Sequence, residues 1–526
     1  MTSYYIDNTG LYDSNGKTLL NPSRDQLLQY MLSDNPRQNK LMYDLDACVA
    51  SIIHFCLTEE QAKELHEKER VNAGFCKLTY FPNRFFSIDG YAHYVNFGNM
   101  TRYKSDVHYS PTDIIEDKIN KAKEAEQMAI GASDILKSID LDPQKIISPI
   151  TALIDKYIRP LAIPTVDDYP LEVGELAYQS IKGNWNECYQ MGHWDNALDY
   201  DINGAYGSRL AKLLDIRRGT WEKSDSIPDK AVYGFADGIL NINADSFFHP
   251  YMVKVSEDFS YTPTGSRPDQ LPLNLIKLLY KHKMGTYHIK KGYWWIPNEA
   301  RSLYEPLKGI VNHLWNIRSK SEGLKKAIIR SLLAAIWGKM TEIHKDEFGK
   351  LFNPVWGSIV ENDVKYIVAD TCLSAGITPL QIAVDGVLTD KPLPIQDTKE
   401  LGGWRLSHKG KALIVSSGVI AMEGKDGAEE FALKYDWLYN KICNEPYKSE
   451  FVMNKYSPVT LGKALKTAGF STIGELQDIN RSVIIGKDYK RMYNKYPLNG
   501  SDLLNNKYKS APIDYTMINT IPIDNQ

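Results

Sequence analysis

The stretch Asp201-Ile202-Asn203-Gly204-Ala205-Tyr206-Gly207 (DINGAYG) follows the strand-like run ALDY. It sets a carboxylate at a strand end and an aromatic ring at the start of a helix. A second stretch, residues 382–389 (IAVDGVLT), centres another carboxylate, Asp385, in an apolar run. Between them, residues 321–339 read SEGLKKAIIRSLLAAIWGK, a helix with cations along one stripe. Two distant carboxylates and a cationic helix are what nucleotidyl transfer needs: the carboxylates hold two divalent cations and the helix neutralises a triphosphate.

Each segment carries its own chemistry and its own plainer alternative. Asp201, ending a strand, can reach a metal through its side chain, with the Ile202 carbonyl as a further hard oxygen ligand suited to Mg2+. Tyr206 can pack under a sugar and exclude a 2′-hydroxyl. The alternative is an exposed loop acid and a core aromatic. Asp385, flanked by Ile, Ala, Val and Gly, is costly to bury unless paired or metal-bound, yet Asp-Gly is also a hairpin-turn pair. Asp390 reads as surface. On the helix, Lys326, Arg330, Ala334 and Trp337 share one stripe, and Leu324, Ile328, Leu332 and Ile336 or Ala335 form the opposite, core-facing one. Cations for phosphates, a small Ala334 and an aromatic for a base make a nucleotide site. A plain amphipathic surface helix has the same pattern.

The 526 residues suit three or four domains, and 43% hydrophobic with 24% charged content describes an ordinary globular chain. No long uncharged apolar run marks a membrane span. The start, MTSYYIDNTG, lacks signal-peptide character. Six cysteines without a CxxC pair argue against a zinc ribbon or a disulfide framework. A cytoplasmic setting is expected. The net charge of -3 hides an asymmetry: residues 277–339 hold 13 basic against 3 acidic residues, and 441–510 hold 12 against 6. Two basic segments on an acidic body suggest a polyanion groove.

The coarse pattern is mixed α/β. A strand is expected at 4–7, a helix at 24–32, an apolar helix after Asp44 and strands over 75–97. A charged amphipathic helix covers 113–139 and another 144–157, before Pro160, Pro164 and Pro170 break the pattern. A helix runs from Tyr206 to Leu214. Residues 259–273 read as loop, 273–283 and 300–340 as helical with a strand pair near 286–295, and 351–376 as a strand turn plus an apolar helix.

In this order the segments resemble the polymerase domain of family B DNA polymerases, most nearly the small protein-primed type of bacteriophages and linear plasmids. DINGAYG resembles the family's D-x-x-S-L-Y-P, keeping Asp201 and Tyr206, with Gly204, Ala205 and Gly207 departing. RSLLAAIWG (330–338) resembles K-x-x-x-N-S-x-Y-G, with Arg330 for the phosphate-binding Lys, Trp337 for the Tyr, and Gly338 kept. SEG (321–323), Lys339 and Arg318 also look like the protein-primed members. Residues 383–386 resemble D-T-D-S, with Asp385 as the metal-binding Asp and Ala383 in place of the first. LGGW (401–404) with Lys409 and Lys411 resembles the approach to the K-x-Y primer-strand motif, which VSSGV does not keep. GKALKTAG (462–469) and DYKRMY (488–493), with Lys490 and Arg491, look like a small thumb. About 47 residues separate Gly338 from Asp385, leaving room only for a short hairpin where protein-primed relatives carry a DNA-encircling insertion.

The resemblance implies a right-hand polymerase of α/β (α+β, multi-domain) class preceded by a degenerate, RNase H-like 3′–5′ exonuclease domain. The implied divisions are 1–180 exonuclease-like, 181–265 first palm part, 266–340 fingers with a preceding insertion, 341–430 second palm part and 431–526 thumb. Asp201 and Asp385 are implied to be catalytic and, with Ile202, to bind two Mg2+ ions, with Mn2+ as a substitute. Tyr206, Arg318, Lys326, Arg330, Trp337 and Gly338 are implied to bind the deoxynucleoside triphosphate. Lys339, Lys409, Lys411, Lys490 and Arg491 are implied to bind DNA. Asp7-Asn8-Thr9 lacks the exonuclease Glu, MYDLDA (42–47) is a loose second motif, and Tyr109 with Asp113 has the spacing of the third, so no proofreading is expected. Partners would be primer-template DNA, deoxynucleotides and, as a further candidate, a terminal priming protein, in replication of a phage or mobile element. Two alternatives stand beside active synthesis on a DNA end: a catalytically inactive DNA-binding or replisome protein, and an enzyme that initiates on a protein hydroxyl.

Overall fold

Side-chain caps start several helices of the computed structural model, which describes residues 2–33, 39–95, 109–256, 259–299, 303–344, 347–425 and 433–520. β1 (Tyr4–Asp7), β2 (Gly10–Asp13) and β3 (Thr18–Leu20) form an antiparallel meander. α1 (Arg24–Ser33) leads to β4 (Asn39–Leu41), and then α2 (Leu45–Cys56) begins where the Asp44 side chain accepts from the Ala47 N–H at 3.1 Å. A Thr58/Gln61 capping box starts α3 (Glu59–Lys68). β5 (Arg70–Ala73), β6 (Cys76–Phe81), β7 (Phe85–Ile88) and β8 (Ala92–Val95) complete a sheet ordered β4-β8-β7-β6-β5, with β4 and β8 parallel.

α4 (Ile115–Ser138) buries Ala122, Ala125, Ala129, Ala132 and Leu136 along one narrow stripe. Small side chains at helical spacing let the N-terminal strands lie against the helix. Residues 144–157 were expected as one helix but form short pieces, α5 (Pro149–Leu153) and a π turn at Ile154–Ile158, followed by a 3-10 turn at Arg159–Leu161 that takes Pro160 into its first turn. α6 (Leu171–Gln179) follows.

β9 (Asn186–Cys188) and β10 (Gln190–Ile202) enter an eight-stranded sheet, followed by α7 (Ala205–Leu210). α7 is shorter than the expected 206–214. A four-stranded sheet, ordered β11-β16-β12-β15, comes next from β11 (Gly219–Ser224), β12 (Tyr233–Ile242), β15 (Gly265–Pro272) and β16 (Gly285–Pro297). Beside it lie the small pair β13 (Val253–Lys254) and β14 (Ser260–Tyr261), and α8 (Leu273–Lys281). Residues 259–273 are thus mostly strand, despite their turn-rich composition, because β15 lies against β12 along eight residues. The expected strand pair near 286–295 is the single strand β16, whose partners β11 and β12 are distant in sequence.

The expected helix over 300–340 divides into α9 (Lys308–Ser319) and α10 (Gly323–Met340), with residues 300–302 outside the described set. A hairpin of β17 (Ile343–His344) and β18 (Glu347–Phe348) precedes α11 (Pro354–Ser374), capped by the Asn353 side chain. β19 (Gln381–Ala383), β20 (Gly386–Thr389), β21 (Trp404–Ser416) and β22 (Val419–Met422) complete most of the large sheet, in the order β22-β21-β10-β20-β19-β9. The chain ends through α12 (Tyr435–Asn444), β23 (Glu450–Pro458), α13 (Leu461–Lys463), β24 (Leu476–Ile484), β25 (Met492–Tyr493), α14 (Gly500–Asn505) and β26 (Lys507–Ala511), which joins β10. Val459, Leu461, Ala464 and Ile473 pack into the N-terminal core, so the chain closes on itself. No helix among the described residues is long and apolar enough to cross a membrane.

Two residues assigned to DNA from the sequence face inward. The buried Arg491 pairs with buried Glu187 at 2.9 Å and also donates to Ser510 Oγ and the Phe247 carbonyl. Its charge is needed there because Glu187 has no other cation at hydrogen-bonding distance among the described residues; Trp185, Tyr189 and Thr262 supply neutral donors. Lys490 donates to the Asn186 carbonyl at 3.1 Å and lies over the Phe259 ring. Arg491→Ala is therefore expected to lower stability by about 3–5 kcal/mol, since it strands a buried carboxylate. Lys409→Ala, at an exposed position, should stay within about 0.5 kcal/mol of wild type in the same denaturation experiment.

Candidate active site

Strand register brings the two carboxylates together. β10 runs antiparallel to β20 with Asp201 opposite Gly386, and to β21 with Asp201 opposite Arg405. Asp385 occupies the turn that joins β19 to β20, where Ala383 pairs with Gly386. Asp385-Gly386 thus forms the hairpin turn that the sequence also allowed, and the turn delivers Asp385 beside Asp201. The neighbouring Val384 has φ 61°, a left-handed conformation costing a β-branched residue about 1–3 kcal/mol. Its N–H donates to the Trp185 carbonyl at 2.8 Å, one of the bonds that hold the turn.

The proximity has an electrostatic consequence. Burial pushes the Asp385 carboxyl up to about 7, and the Asp201 charge adds to the shift, while Arg330 of α10 acts the other way. A protonated Asp385 can hydrogen-bond Asp201. Asp201 also holds an ion pair with Arg405, at 2.7 Å.

The bend after Asp201 explains one departure from the family motif. Gly204 has φ 57°, and a Cβ there would come within 2.9 Å of the Trp315 ring. A side chain at this position is excluded twice, by the backbone and by the packing. The bend starts α7, and the half-buried Tyr206 ring lies 4.8 Å from the Trp337 ring, centroid to centroid. Burial raises the Tyr206 hydroxyl pKa, with Glu361 and then Asp385 adding to it. The Trp337 indole N–H donates to the Gly357 carbonyl at 3.0 Å.

α10 divides its faces as its sequence pattern requires. Ile328, Leu332 and Ile336 are buried, whereas Lys326, Arg330 and Ala334 are exposed and Trp337 is half-buried. A Cβ on Gly338 would meet nothing within 4 Å, so the surface beside Trp337 is open. Arg318 of α9 stacks on Trp315, the ring that packs on Gly204. Asp201, Asp385, Tyr206, Arg330 and Trp337 thus form one cluster, with Arg318 joined to it through Trp315. Lys339 pairs with Glu342 beyond the end of α10. Lys409 and Lys411 are exposed on β21, Lys411 lying 4.0 Å from Glu423. Sequence reasoning missed Arg405, directly after LGGW, and Glu361. Glu361 is buried on α11, accepting from Lys365 and from the Lys182 and Gly183 N–H groups. Only the fold reveals that either approaches the cluster.

The N-terminal carboxylates are spent on lysines of α4. Asp7 pairs with Lys118 at 2.7 Å, and Asp113 pairs with Lys121. The Asp46 carboxylate accepts from the Tyr80 hydroxyl at 2.6 Å. Tyr109 is buried beside Tyr5 and Tyr43.

No family model and no curated protein matches this sequence. Solved structures match its fold. Phi29 DNA polymerase complexed with primer-template DNA, in the post-translocation binary complex, gives a TM-score of 0.61 at 12% identity, covering 92% of this chain and 99% of that one. The same polymerase in its ternary complex with incoming nucleotide gives 0.57 at 12% identity, over the same shares. Its complex with single-stranded DNA gives 0.58 at 11% identity, again over 92% and 99%. The chain therefore has the mixed α/β polymerase fold that its motif order implied.

The Asp385 shift sets a pH dependence for the metal-free protein. The folded state holds this proton to higher pH than the unfolded chain does. The associated cost is absent below about pH 4, grows as pH rises and is complete above about 7. In chelator, Asp385→Asn should melt roughly 2–4 °C above wild type at pH 8, with a smaller gain at pH 5.

Proposed function

We propose that this protein is a template-directed DNA polymerase. It adds deoxynucleotides to a primer 3′-hydroxyl, without proofreading, in the replication of a phage or mobile element. One observation carries the reading: the β10–β20 register sets Asp201 beside the Asp385 turn, within electrostatic reach of Arg330, on the fold of phi29 DNA polymerase.

The donor set suits magnesium. Asp201 and Asp385 are hard oxygen ligands, and no group of three or more His, Cys, Asp or Glu side chains gathers as a metal cage among the described residues. Mg2+ is commonly held by one or two carboxylates, with water and substrate phosphates completing its shell. Asp201, Asp385 and the Ile202 carbonyl would hold two such ions, with Mn2+ as a substitute. When bound, they supply Lewis-acid activation of the 3′-hydroxyl and neutralise the leaving pyrophosphate. Arg330, with Lys326 and Arg318, binds the triphosphate and offsets its charge. Trp337 and the open surface at Gly338 receive the incoming base. The Tyr206 ring, backed by Trp337, would exclude a 2′-hydroxyl. Lys339, Lys409 and Lys411 meet phosphodiester groups without reading bases.

In the N-terminal 180 residues, Asp7 and Asp113 already have lysine partners. That arrangement supports a nuclease-like domain retained as a wall for single-stranded template, with its cutting chemistry lost.

Primer extension on a short primer-template tests the reading. Wild type should extend the primer with Mg2+ or Mn2+, and Asp201→Ala and Asp385→Ala should each lose roughly a thousandfold or more, the scale of several kcal/mol of charge stabilisation. DNA binding without extension by wild type would sink the catalytic reading. Tyr206→Val is expected to raise ribonucleotide incorporation, relative to deoxynucleotide, by about tenfold or more. A 5′-labelled single strand incubated with wild type and either metal should keep its full length, and progressive 3′ shortening would refute the loss of proofreading.

A further inference from the structure

Arg405 stands directly across the strand ladder from Asp201, and its Nη2 lies 2.7 Å from Asp201 Oδ2. The register that builds the carboxylate pair therefore also delivers a cation to it. Neither side chain is locked in place: the arginine is 45% exposed and the aspartate 30%. Such a half-solvated pair is weak and readily exchanged. The same strand repeats the device at Asp199, which accepts from Lys425 and from the Ser407 hydroxyl. Arg330 offsets the charge of Asp385 from the α10 side. Without DNA, both carboxylates thus have a protein cation near them, but only Arg405 sits on a carboxylate oxygen that a metal ion would need.

We propose that Arg405 is an exchangeable counter-ion that couples metal loading to DNA binding. In the free protein its guanidinium occupies Asp201 and competes with the divalent ion. When a nucleic-acid strand enters, a backbone phosphate draws the guanidinium away, since its planar fork matches phosphate at least as well as carboxylate. Asp201 is then released to bind metal. The coupling is reciprocal, so metal also tightens DNA binding. The inference rests on the polymerase reading of Asp201 and adds to it the order in which the site assembles.

Direct Mn2+ titration, followed by the electron paramagnetic resonance signal of free Mn2+, tests this without turnover. Wild type, Arg405→Ala, Arg405→Gln, Arg405→Lys and Asp201→Asn are compared with and without a primer-template ending in a dideoxynucleotide. The difference from Asp201→Asn isolates the site from Mn2+ bound elsewhere, including on the DNA. Without DNA, Arg405→Ala and Arg405→Gln should each bind Mn2+ about fivefold tighter than wild type. Arg405→Lys, which keeps the charge, should stay within about twofold of wild type. DNA should tighten wild type by a similar fivefold factor and the two neutral variants far less. If the neutral variants bind no tighter than wild type without DNA, or show the full DNA increment, Arg405 has no such role while Asp201 remains a metal ligand. If Asp201→Asn binds Mn2+ like wild type, the metal site itself is wrong and both readings fall.

Discussion

Two carboxylates placed side by side where the strands of a sheet end repel each other, and most of what surrounds Asp201 and Asp385 answers that constraint. Partial burial makes the repulsion stronger, because less water screens it. One carboxyl responds by holding its proton to about pH 7. The protein responds with cations from two directions, Arg405 along the sheet and Arg330 from the helix above. Divalent ions would satisfy the same need more completely. A site strained in this way costs stability.

Holding that arrangement requires rigid supports. The strand ladder fixes backbone positions, but the ends of β9 and the turn at Val384 need anchoring from elsewhere. The buried Glu187–Arg491 pair ties β9 to the C-terminal segment. Glu361, paired with Lys365, gathers the N–H groups of Lys182 and Gly183 onto α11 and acts electrostatically on Tyr206. These buried charges are poor contributors to net stability but strong specifiers of geometry, since removing one partner leaves the other uncompensated.

Carboxylates of the resembling motifs are partnered differently in the two halves of the chain. At Asp201 the arginine partner is half-exposed and exchangeable. At Asp7 and Asp113 the lysines come from α4, with their side chains only 12% exposed. Lys121 also lies over the Tyr5, Tyr43 and Tyr109 rings, which fixes its position further. A carboxylate satisfied by a nearly buried lysine has little left to offer a metal ion.

By itself the sequence determined what period and local chemistry control. The two faces of α10 follow from spacing alone, as do the strand before Asp201, the apolar helix after Asp44 and the charged helix expected over 113–139. The order of the weak motifs was enough to imply the polymerase fold. Tertiary structure decided what depends on partners distant in the chain. Residues 265–272 read as loop until β12 lay beside them, and a 3.6-residue pattern over 300–340 did not mark the break between α9 and α10. Arg491 was implied to bind DNA as part of a basic stretch, yet its charge is matched by Glu187, some three hundred residues earlier. Arg405 carried no signal, because its importance lies in register: it faces Asp201 only once β21 has paired with β10. Charge in a sequence has a sign but no address, and the strand ladder assigns it one.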